Sequence, residues 1–469
     1  MKITGTICII ALLLFGAPIF SQQPSAVSAT VAETGQTEAI RFLTDLVKID
    51  TSNPPGNEKM AAEYIKSVLD QEGIASEIFE SAPGRGNIVA RLKGNGTKRP
   101  LLLMGHLDVV GVERDKWTVD PFTAVTKDGY LYGRGSRDDK AMDAANLEVL
   151  LELHRRKIPL DRDVILLAEA GEEGTTNYGI DFMVAQHWDK IECEYALNEG
   201  GELHENNGKV DYAGVGTTEK APRQMTLVAR GSSGHASMPR LDNPIEHLGA
   251  AVGKLLAWQP PMRLNETTRE YFSRLAKISS PDDAYLYTHL EDPAVQQKLA
   301  AQKISQNSML RTSIVPTIIK GGFRMNVIPA EAEATLDVRI LPDENVDELM
   351  ASLGSVVHDP EIEIVRSNQA NDRPAGAPSS IHSDMFQALE RAQAKAFPQA
   401  VTLPMMGTGA TDAAELRAKG VQAYGIGPVT SDDDALRVHG NDERVQLEGV
   451  GKFVDYLYTA VIDVAATKK

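Results

Sequence analysis

The stretch LLLMGHLDVV, Leu101 to Val110, joins an apolar run to a histidine and an aspartate. Leu101 to Met104 is typical of a buried strand, and His106 and Asp108 stand two residues apart where that run stops. Side chains two apart in extended chain point to the same side, so an imidazole and a carboxylate could meet one ion. Taken alone, such a pair is more often a satisfied histidine at a strand end than a metal site.

Strand-like and helix-like segments alternate on both sides of this stretch. Apolar runs typical of strands cover residues 88–92, 164–168 and 195–197, and residues 139–156 repeat apolar side chains at helical spacing. Strands that alternate with helices predict a mostly parallel sheet sandwiched between helices, in the α/β class. A strict apolar–polar alternation from Glu331 to Ile340 instead indicates an antiparallel sheet with one solvated face.

The length of 469 residues exceeds what one ordinary core supports. The pattern changes at about residue 221 and changes back near residue 369, which predicts a sheet-centred domain interrupted by a smaller α+β domain. The boundaries that we predict are 37–220 and 369–469 for the two parts of the main domain and 221–368 for the insert.

The N-terminus has a pattern of its own. An apolar segment from Ile7 to Phe20 follows Lys2 and is too short to cross a bilayer comfortably, which predicts a secretory signal peptide over residues 1–21. We therefore expect export to the periplasm or the extracellular space, with no stable membrane span after signal removal; an uncleaved anchor is the alternative. Removal of the signal leaves Cys193 as a lone cysteine, so no disulfide is expected.

The net charge of −17 limits the classes of partner. Nucleic acids and anionic membranes both require a basic face, which this composition does not favour, so we expect no nucleic-acid partner. A hydrophobic content of 42% and a charged content of 24% are those of a globular protein.

Four more segments place acidic residues or histidines where apolar runs end. Ligands of open α/β sheets bind outside the carboxyl ends of the strands, so we expect these segments and the His106 segment to meet in one crevice. The segments are GRGSRDDK (133–140), AEAGEEG (168–174), LNEGG (197–201) and VHGNDER (438–444).

Each candidate residue also has an ordinary structural interpretation. Glu172 and Glu173 are adjacent carboxylates, which usually lie in a solvated loop, but here they follow an apolar run. One of them could bind an ion while the other takes a proton from water. Asp138 and Asp139 precede a helix, where an N-cap is the usual role. Glu199 lies beside two glycines that let a ligand approach the backbone closely.

His439 completes a set of two histidines and several carboxylates. Oxygen and imidazole ligands suit zinc, manganese or cobalt. One tetrahedral zinc cannot use so many carboxylates, whereas two ions that share a bridging carboxylate would use all of them.

The sequence resembles the family of dinuclear zinc peptidases that includes carboxypeptidase G, carboxypeptidase S, the aminoacylases and succinyl-diaminopimelate desuccinylase. The resemblance extends from about residue 40 to the C-terminus and is greatest to the carboxypeptidase S branch, which also contains N-acyl-amino-acid hydrolases. It implies a zinc-exopeptidase-like sheet with an inserted lid or dimerisation domain. The motifs that carry it, in order, are GHLDVV, YGRGSRDDK, EAGEEGT, ALNEGG, GSSGHAS, NVIP, DVRILP and VHGNDER.

The resemblance implies two Zn²⁺ per chain, with Co²⁺ or Mn²⁺ as substitutes. Asp138 would bridge the two ions, and its peptide link to Asp139 is usually cis in relatives. Glu172 would be the general base, and Asp108 would hold the ring of His106 rather than bind an ion itself. The metal ligands that the family implies are His106, Asp138, Glu173, Glu199 and His439.

The resemblance also implies substrate contacts. His235 resembles a residue that stabilises the tetrahedral oxyanion and reaches into the partner's site in dimeric relatives, so we expect a homodimer through the inserted domain. Asn326 and Arg339 resemble groups that hold the substrate's carboxylate. Arg339 also lies on the polar side of its predicted strand, where a guanidinium can bind a carboxylate bidentately. Thr411 belongs to a glycine-rich segment that resembles a loop near the substrate's terminal group.

The predicted activity is hydrolysis of the amide bond next to a free C-terminal carboxylate, by a metallocarboxypeptidase or dipeptidase. An N-acyl-amino-acid amidohydrolase would use the same chemistry, and the pocket for the acyl side decides between a small peptide and an N-acyl amino acid. The alternative of another class is a non-catalytic, metal-containing peptide-binding protein, which would have lost the general base that Glu172 provides.

Overall fold

The computed structural model of the chain describes residues 37–369 and 372–468. The predicted signal peptide, residues 1–21, lies outside the described residues. Across the two described ranges, no helix is both long enough and apolar enough to cross a bilayer.

A ten-stranded central sheet and a four-stranded second sheet organise the described residues. In chain order their strands are β1 (Ser76–Ala82), β2 (Arg85–Leu92), β3 (Leu101–His106), β4 (Val164–Glu169), β5 (Tyr195–Asn198), β6 (Glu202–Asn206), β7 (Lys209–Glu219), β8 (Ala221–Arg230), β9 (Ser313–Gly321), β10 (Glu331–Ile340), β11 (Ile362–Ser367), β12 (Val401–Gly407), β13 (Gln422–Gly425) and β14 (Val429–Thr430). Shorter strands pair Ser52–Asn53 with Val109–Val110, Gly234–His235 with Val327–Ile328, and Tyr130–Tyr132 with both Val125–Lys127 and Arg444–Gln446.

The central sheet has the order β1-β2-β4-β3-β5-β13-β7-β6-β14, and β12 pairs with β7. Its middle strands β4, β3, β5 and β13 run parallel, while β1 and β2 on one side and β6 and β7 on the other add antiparallel pairings. The predicted α/β class is confirmed, with a sheet that is mixed rather than uniformly parallel.

Helices cover both faces of the central sheet, which explains the uninterrupted apolar run that opens β3. Leu101 and Leu103 pack in one hydrophobic cluster, and Leu102 and Met104 pack in another on the opposite face. The longer helices are α1 (Glu38–Val47), α2 (Glu58–Gln71), α3 (Lys140–Arg155), α4 (Ile180–Gln186), α5 (Pro244–Ala257), α6 (Glu266–Ile278), α7 (Pro281–Thr288), α8 (Pro293–Gln302), α9 (Ile304–Met309), α10 (Val346–Val357), α11 (Asp384–Ala396), α12 (Ala413–Ala418) and α13 (Leu447–Ala465).

The second sheet is antiparallel, in the order β9-β10-β8-β11. The alternation along β10 is confirmed, because its buried side chains pack in one cluster with α5 and α10 while the intervening ones stay partly exposed. The apolar set of β10 consists of Ala332, Ala334, Leu336, Val338 and Ile340.

The helices α6 to α9 occupy the middle of the predicted insert but pack elsewhere. Phe272 of α6 and Leu299 of α8 share a hydrophobic cluster with Leu403 and Met406 of β12, as well as with Leu341 after β10. This block therefore contacts a strand of the central sheet, and the boundaries 221–368 for a separate inserted domain stay a prediction.

Candidate metal centre and active site

The candidate residues lie at the carboxyl edge of the parallel strands. Strand β3 ends at His106, and its neighbours β4 and β5 end at Glu169 and Asn198. Because parallel strands end at the same edge, the loops after β4 and β5 bring Glu172 and Glu199 toward His106.

Asp138 lies between two histidines, His106 and His439, that are far apart in the sequence. Its Oδ1 is 3.1 Å from Nε2 of His106, and its Oδ2 is 3.2 Å from Nε2 of His439. Glu199 Oε1 lies 3.9 Å from the His106 nitrogen, and Glu173 Oε1 lies 2.8 Å from the His439 nitrogen. The five predicted metal ligands therefore form two groups of three that share Asp138.

A buried ion pair joins the segment of Asp138 to the segment of His439. Glu443 accepts hydrogen bonds from the backbone amides of Arg137 and Asp138 and pairs with Arg134 at 2.5 Å. Arg134 in turn donates to the carbonyl oxygens of His439 and Gly440. The peptide bond between Asp138 and Asp139 is cis, as the resemblance implied. Sequence reasoning did not single out Arg134 or Glu443, although both lie within quoted motifs.

Asp108 organises the loop that carries the paired glutamates. Its carboxylate accepts hydrogen bonds from the backbone amides of Gly171, Glu172 and Glu173, at 2.9 to 3.1 Å, and from the amide of Asn53 at 2.8 Å. The ring nitrogen Nδ1 of His106 lies closer to the carbonyl oxygen of Asp108, 3.0 Å away, than to its carboxylate at 3.5 Å. That Asp108 holds the ring of His106 stays a prediction. The contacts give Asp108 a second role, because they fix the loop that carries Glu172 and Glu173.

The cluster holds more acidic groups than its two imidazoles neutralise. Hydrogen bonds to carboxylates raise the pKa of His439 to about 10. Burial alone would lower the pKa of His106, but its aspartate partners raise it well above the ordinary value. Burial and then repulsion from Asp138 raise the pKa of Glu199 to about 8. A divalent cation would relieve this repulsion, because it compensates the charge of several carboxylates at once.

The donor set fits two such cations. In each group of three, one ligand atom per residue lies within 4.8 Å of the others. The atoms are imidazole nitrogens and carboxylate oxygens, the ligand types that suit zinc, cobalt and manganese. The shared carboxylate presents one oxygen to each group, an arrangement that suits a ligand bridging two ions.

Glu172, the predicted general base, faces an arginine that sequence reasoning missed. Nη2 of Arg373 lies 2.9 Å from Glu172 Oε1, and Nη1 lies 2.5 Å from Oδ1 of Asp412. Burial, followed by repulsion from Glu199 and Asp412, raises the pKa of Glu172, and Arg373 opposes that rise. The segment around Arg373 is a polar loop without helical or strand periodicity, so its sequence carried no signal of this position.

A cavity of about 220 Å³ opens beside the ligands and is lined by Glu172, Glu199, His439 and Thr411 among others. Thr411 donates from its hydroxyl and its backbone amide to the carboxylate of Glu219, another residue that lines the cavity and that the sequence did not indicate. Thr411 therefore lines the same cavity as the candidate metal ligands, and its contact with the substrate stays a prediction.

The remaining three predicted residues do not line this cavity within one chain. His235 belongs to a short exposed strand, and its Nδ1 accepts a hydrogen bond from the hydroxyl of Ser237. Asn326 is exposed beside the paired strand. Arg339 forms a two-point ion pair with Asp337, at 2.7 and 3.1 Å, on the half-solvated side of β10. The contacts of a single chain therefore leave the roles predicted for His235, Asn326 and Arg339 untested.

The fold and these contacts define an α/β protein with ligand groups for cations at the carboxyl edge of its sheet. Residues 102–463 match the profile of Peptidase family M20/M25/M40, and the chain belongs to that family. The resemblance seen in the motifs is confirmed, and the family places the chain among metallopeptidases and related amidohydrolases.

Proteins of similar sequence align with most of the chain. It is 31% identical over 373 residues to "Probable carboxypeptidase S-like 2" of Dictyostelium discoideum, which spans 77% of this chain and 70% of that protein. It is 28% identical over 442 residues to the human "N-fatty-acyl-amino acid synthase/hydrolase PM20D1", across 90% of this chain and 86% of the relative. The crystal structure of an M20 family metallo-carboxypeptidase from Sulfolobus solfataricus has the same fold, with a TM-score of 0.68 and 18% identity, covering 91% of this chain and 98% of that one.

Proposed function

We propose that the chain is an exported two-zinc exopeptidase that hydrolyses the amide bond next to a free C-terminal carboxylate. The observation that carries the proposal is the position of Asp138, whose two carboxylate oxygens each face a different histidine in a separate group of ligands. His106 and Glu199 would hold one ion, Glu173 and His439 the other, and Asp138 both.

The catalytic roles follow from the groups around these ligands. Bound zinc would polarise the scissile carbonyl and lower the pKa of water. Glu172 would take the proton of the attacking water and pass it to the leaving amine. Asp108 fixes the backbone amides of Glu172 and Glu173, so the base and its neighbouring ligand keep one relative position.

The cavity beside the ligands supports a short peptide as the substrate. Its volume of about 220 Å³ is below the roughly 300–1,000 Å³ that encloses a drug-sized ligand. A C-terminal residue and a small acyl side fit such a space better than a long acyl chain does.

An N-acyl-amino-acid amidohydrolase is the second candidate. The 28% identity to a relative named an N-fatty-acyl-amino acid synthase/hydrolase, over 90% of this chain, supports it. The third candidate, a non-catalytic peptide-binding protein, would have no use for Glu172, which lies at the cavity wall among the ligands.

A homodimer through the antiparallel sheet would complete the site. Strand β9 lies at the edge of its sheet, and its side chains Val315, Ile318 and Ile319 are exposed. An exposed apolar edge strand favours pairing with another chain. A second copy could then bring its own His235 toward the cavity of the first.

Export is part of the same proposal. It is supported by the apolar segment from Ile7 to Phe20, which follows Lys2. Expression of the full chain with a C-terminal tag, followed by cell fractionation and N-terminal sequencing, would distinguish a cleaved signal from an anchor.

The activity is tested by metal analysis together with a substrate panel on the same preparation. Dipeptides that differ in their C-terminal residue are compared with N-acetyl and N-fatty-acyl amino acids, and Glu172→Gln protein controls for contaminating hydrolases. We expect about two zinc ions per chain and the highest kcat/KM with dipeptides. A preference for N-acyl amino acids would favour the second candidate, and metal-loaded protein that hydrolyses neither class would favour the binding protein.

A further inference from the structure

A second, larger cavity lies on the main sheet domain, away from the metal centre. It measures about 760 Å³ and lies between the end of α11, the turn that follows it, α13 and the turn that precedes β7. Strand β7 begins at this cavity with Lys209 and ends at the metal-centre cavity with Glu219. Eleven residues of extended chain span roughly 35 Å, so the two cavities are separate.

We call this cavity the α11–α13 groove. Its walls are apolar and are held in place by packing and hydrogen bonds. Phe397, Tyr458 and Ile462 line it and pack against the main hydrophobic cluster. The buried amide of Gln393 donates to the carbonyl oxygens of Phe397 and Ala400, at 2.7 and 2.9 Å, and ties down the turn after α11. The groove is therefore formed before any ligand arrives, which lowers the entropic cost of binding.

The rim of the groove is basic in an acidic protein. Lys209, Lys395 and Lys452 line it together with one carboxylate, Asp455, while the whole chain carries a net charge of −17. Lys452 pairs with Glu448 at 2.8 Å. Across residues 37–369 and 372–468, no carboxylate lies within ion-pair distance of Lys209 or Lys395, although Lys395 is near enough to Asp455 to oppose the rise that burial causes in the pKa of that carboxyl. Both ammonium groups can therefore still receive an anionic head group.

We propose that the α11–α13 groove binds a single-chain fatty acid. The acyl chain would lie against Phe397, Tyr458 and Ile462, and the carboxylate would lie between Lys209 and Lys395. Apolar walls contribute in proportion to the area that they remove from water, and a cationic rim selects an anionic head group over a neutral or positive one. The volume of about 760 Å³ is within the range of small-molecule sites.

The proposal is independent of the activity at the metal centre. A carboxylate could also bind to metal ions, so the test must separate the two cavities. The probe is dodecanoate below its micelle concentration, titrated into the full chain by isothermal calorimetry, with metal-loaded and chelator-treated protein in parallel. Dodecyltrimethylammonium has the same chain with a positive head group and serves as the control ligand.

Two variants address the groove and one provides a matched control. The double variant Lys209→Glu and Lys395→Glu reverses the rim, and Ala396→Trp fills the groove from the exposed end of α11. Lys127→Glu makes the same charge change at an exposed position away from the groove. Since the two groove variants alter exposed residues by different means, a folding defect in one leaves the other as the test.

We expect one dodecanoate per chain, bound equally with and without metal, and at least about tenfold weaker binding of the cationic probe. Each groove variant should weaken dodecanoate by at least about tenfold, and Lys127→Glu should leave it unchanged. Absence of saturable binding, binding that disappears when metal is removed, or equal binding by the groove variants would each overturn the proposal.

Discussion

The carboxyl edge of the central sheet and the predicted insert, which carries the antiparallel sheet, hold two halves of the predicted active site, and they differ in completeness. At the sheet edge, the five predicted metal ligands meet in one place although they come from segments far apart in the chain. On the insert, His235 and Asn326 are exposed, and Arg339 is paired with its neighbour Asp337.

The difference shows what topology alone can assemble. Parallel strands end at one edge, so residues that follow them converge within a single chain. The strands of the antiparallel sheet belong to a separate sheet, so the topology of the central sheet does not bring their residues to that edge. We infer that the metal-binding half is complete in one chain, while the substrate-binding half requires a second copy.

The largest expected effect is at the sheet edge. Glu172→Gln keeps the size of the side chain and an oxygen for Arg373 but removes the base, so kcat should fall by roughly 10²–10⁴-fold with unchanged metal content. Steady-state kinetics and metal analysis measure both quantities, and Glu63→Gln on the exposed side of α2 is the matched control. Full activity in Glu172→Gln protein would remove the base assignment.

The next effect tests whether the insert acts across a dimer. His235→Ala should lower kcat by roughly 10²–10³-fold if its imidazole stabilises the oxyanion. Co-expression of His235→Ala chains with Glu172→Gln chains should restore about a quarter of the wild-type activity, because half of the random dimers are mixed and each contains one intact site. If His235 served its own chain, the mixture would remain inactive.

A smaller effect is expected at Arg373, which contacts Glu172 and Asp412. Arg373→Lys keeps the charge but loses the two-point geometry, so we expect about a tenfold loss of kcat with metal retained. If Arg373 acts by positioning Glu172, the same substitution should cost nothing further in Glu172→Gln protein. Equal losses in both backgrounds would mean that Arg373 contacts the substrate independently of the base.

The smallest effect concerns the stability of the insert. The hydrogen bond from His247 to Asp359, at 2.7 Å, raises the pKa of His247. A raised histidine pKa adds stability below the unfolded-state value, and this stability is lost as pH rises through the folded-state value. His247→Asn should therefore cost more stability near pH 5 than near pH 9, by less than about 1 kcal/mol. Urea unfolding followed by tryptophan fluorescence measures this difference, and an equal cost at both pH values would exclude the ion pair as its cause.

Much of the fold could be predicted where the chain repeats a local pattern. The helix predicted over residues 139–156 is α3, Lys140–Arg155, and the alternating strand predicted over Glu331–Ile340 is β10 with the same bounds. Apolar periodicity decides such elements because burial fixes which side chains face the core. The antiparallel pairing of β2 with β4 was not predicted, since it joins distant segments without a local signature.

The candidate site shows the same contrast, between residues that local motifs indicate and residues that only the folded chain brings together. The candidate metal ligands were predicted from motifs that resemble those of a known family, whereas Arg373 in its polar loop and Glu219 at the end of β7 lie outside those motifs. The carboxylate of Asp108 takes four donors from two other segments, which only the folded chain brings together. Contacts of this kind depend on tertiary packing, which periodicity does not encode.

Anomalous X-ray diffraction at the zinc edge, on crystals of the full chain grown with zinc, tests the central claim most directly. The account predicts two anomalous peaks per chain, one among His106, Asp138 and Glu199 and one among Asp138, Glu173 and His439. A single peak, or two peaks without the carboxylate of Asp138 between them, would contradict it.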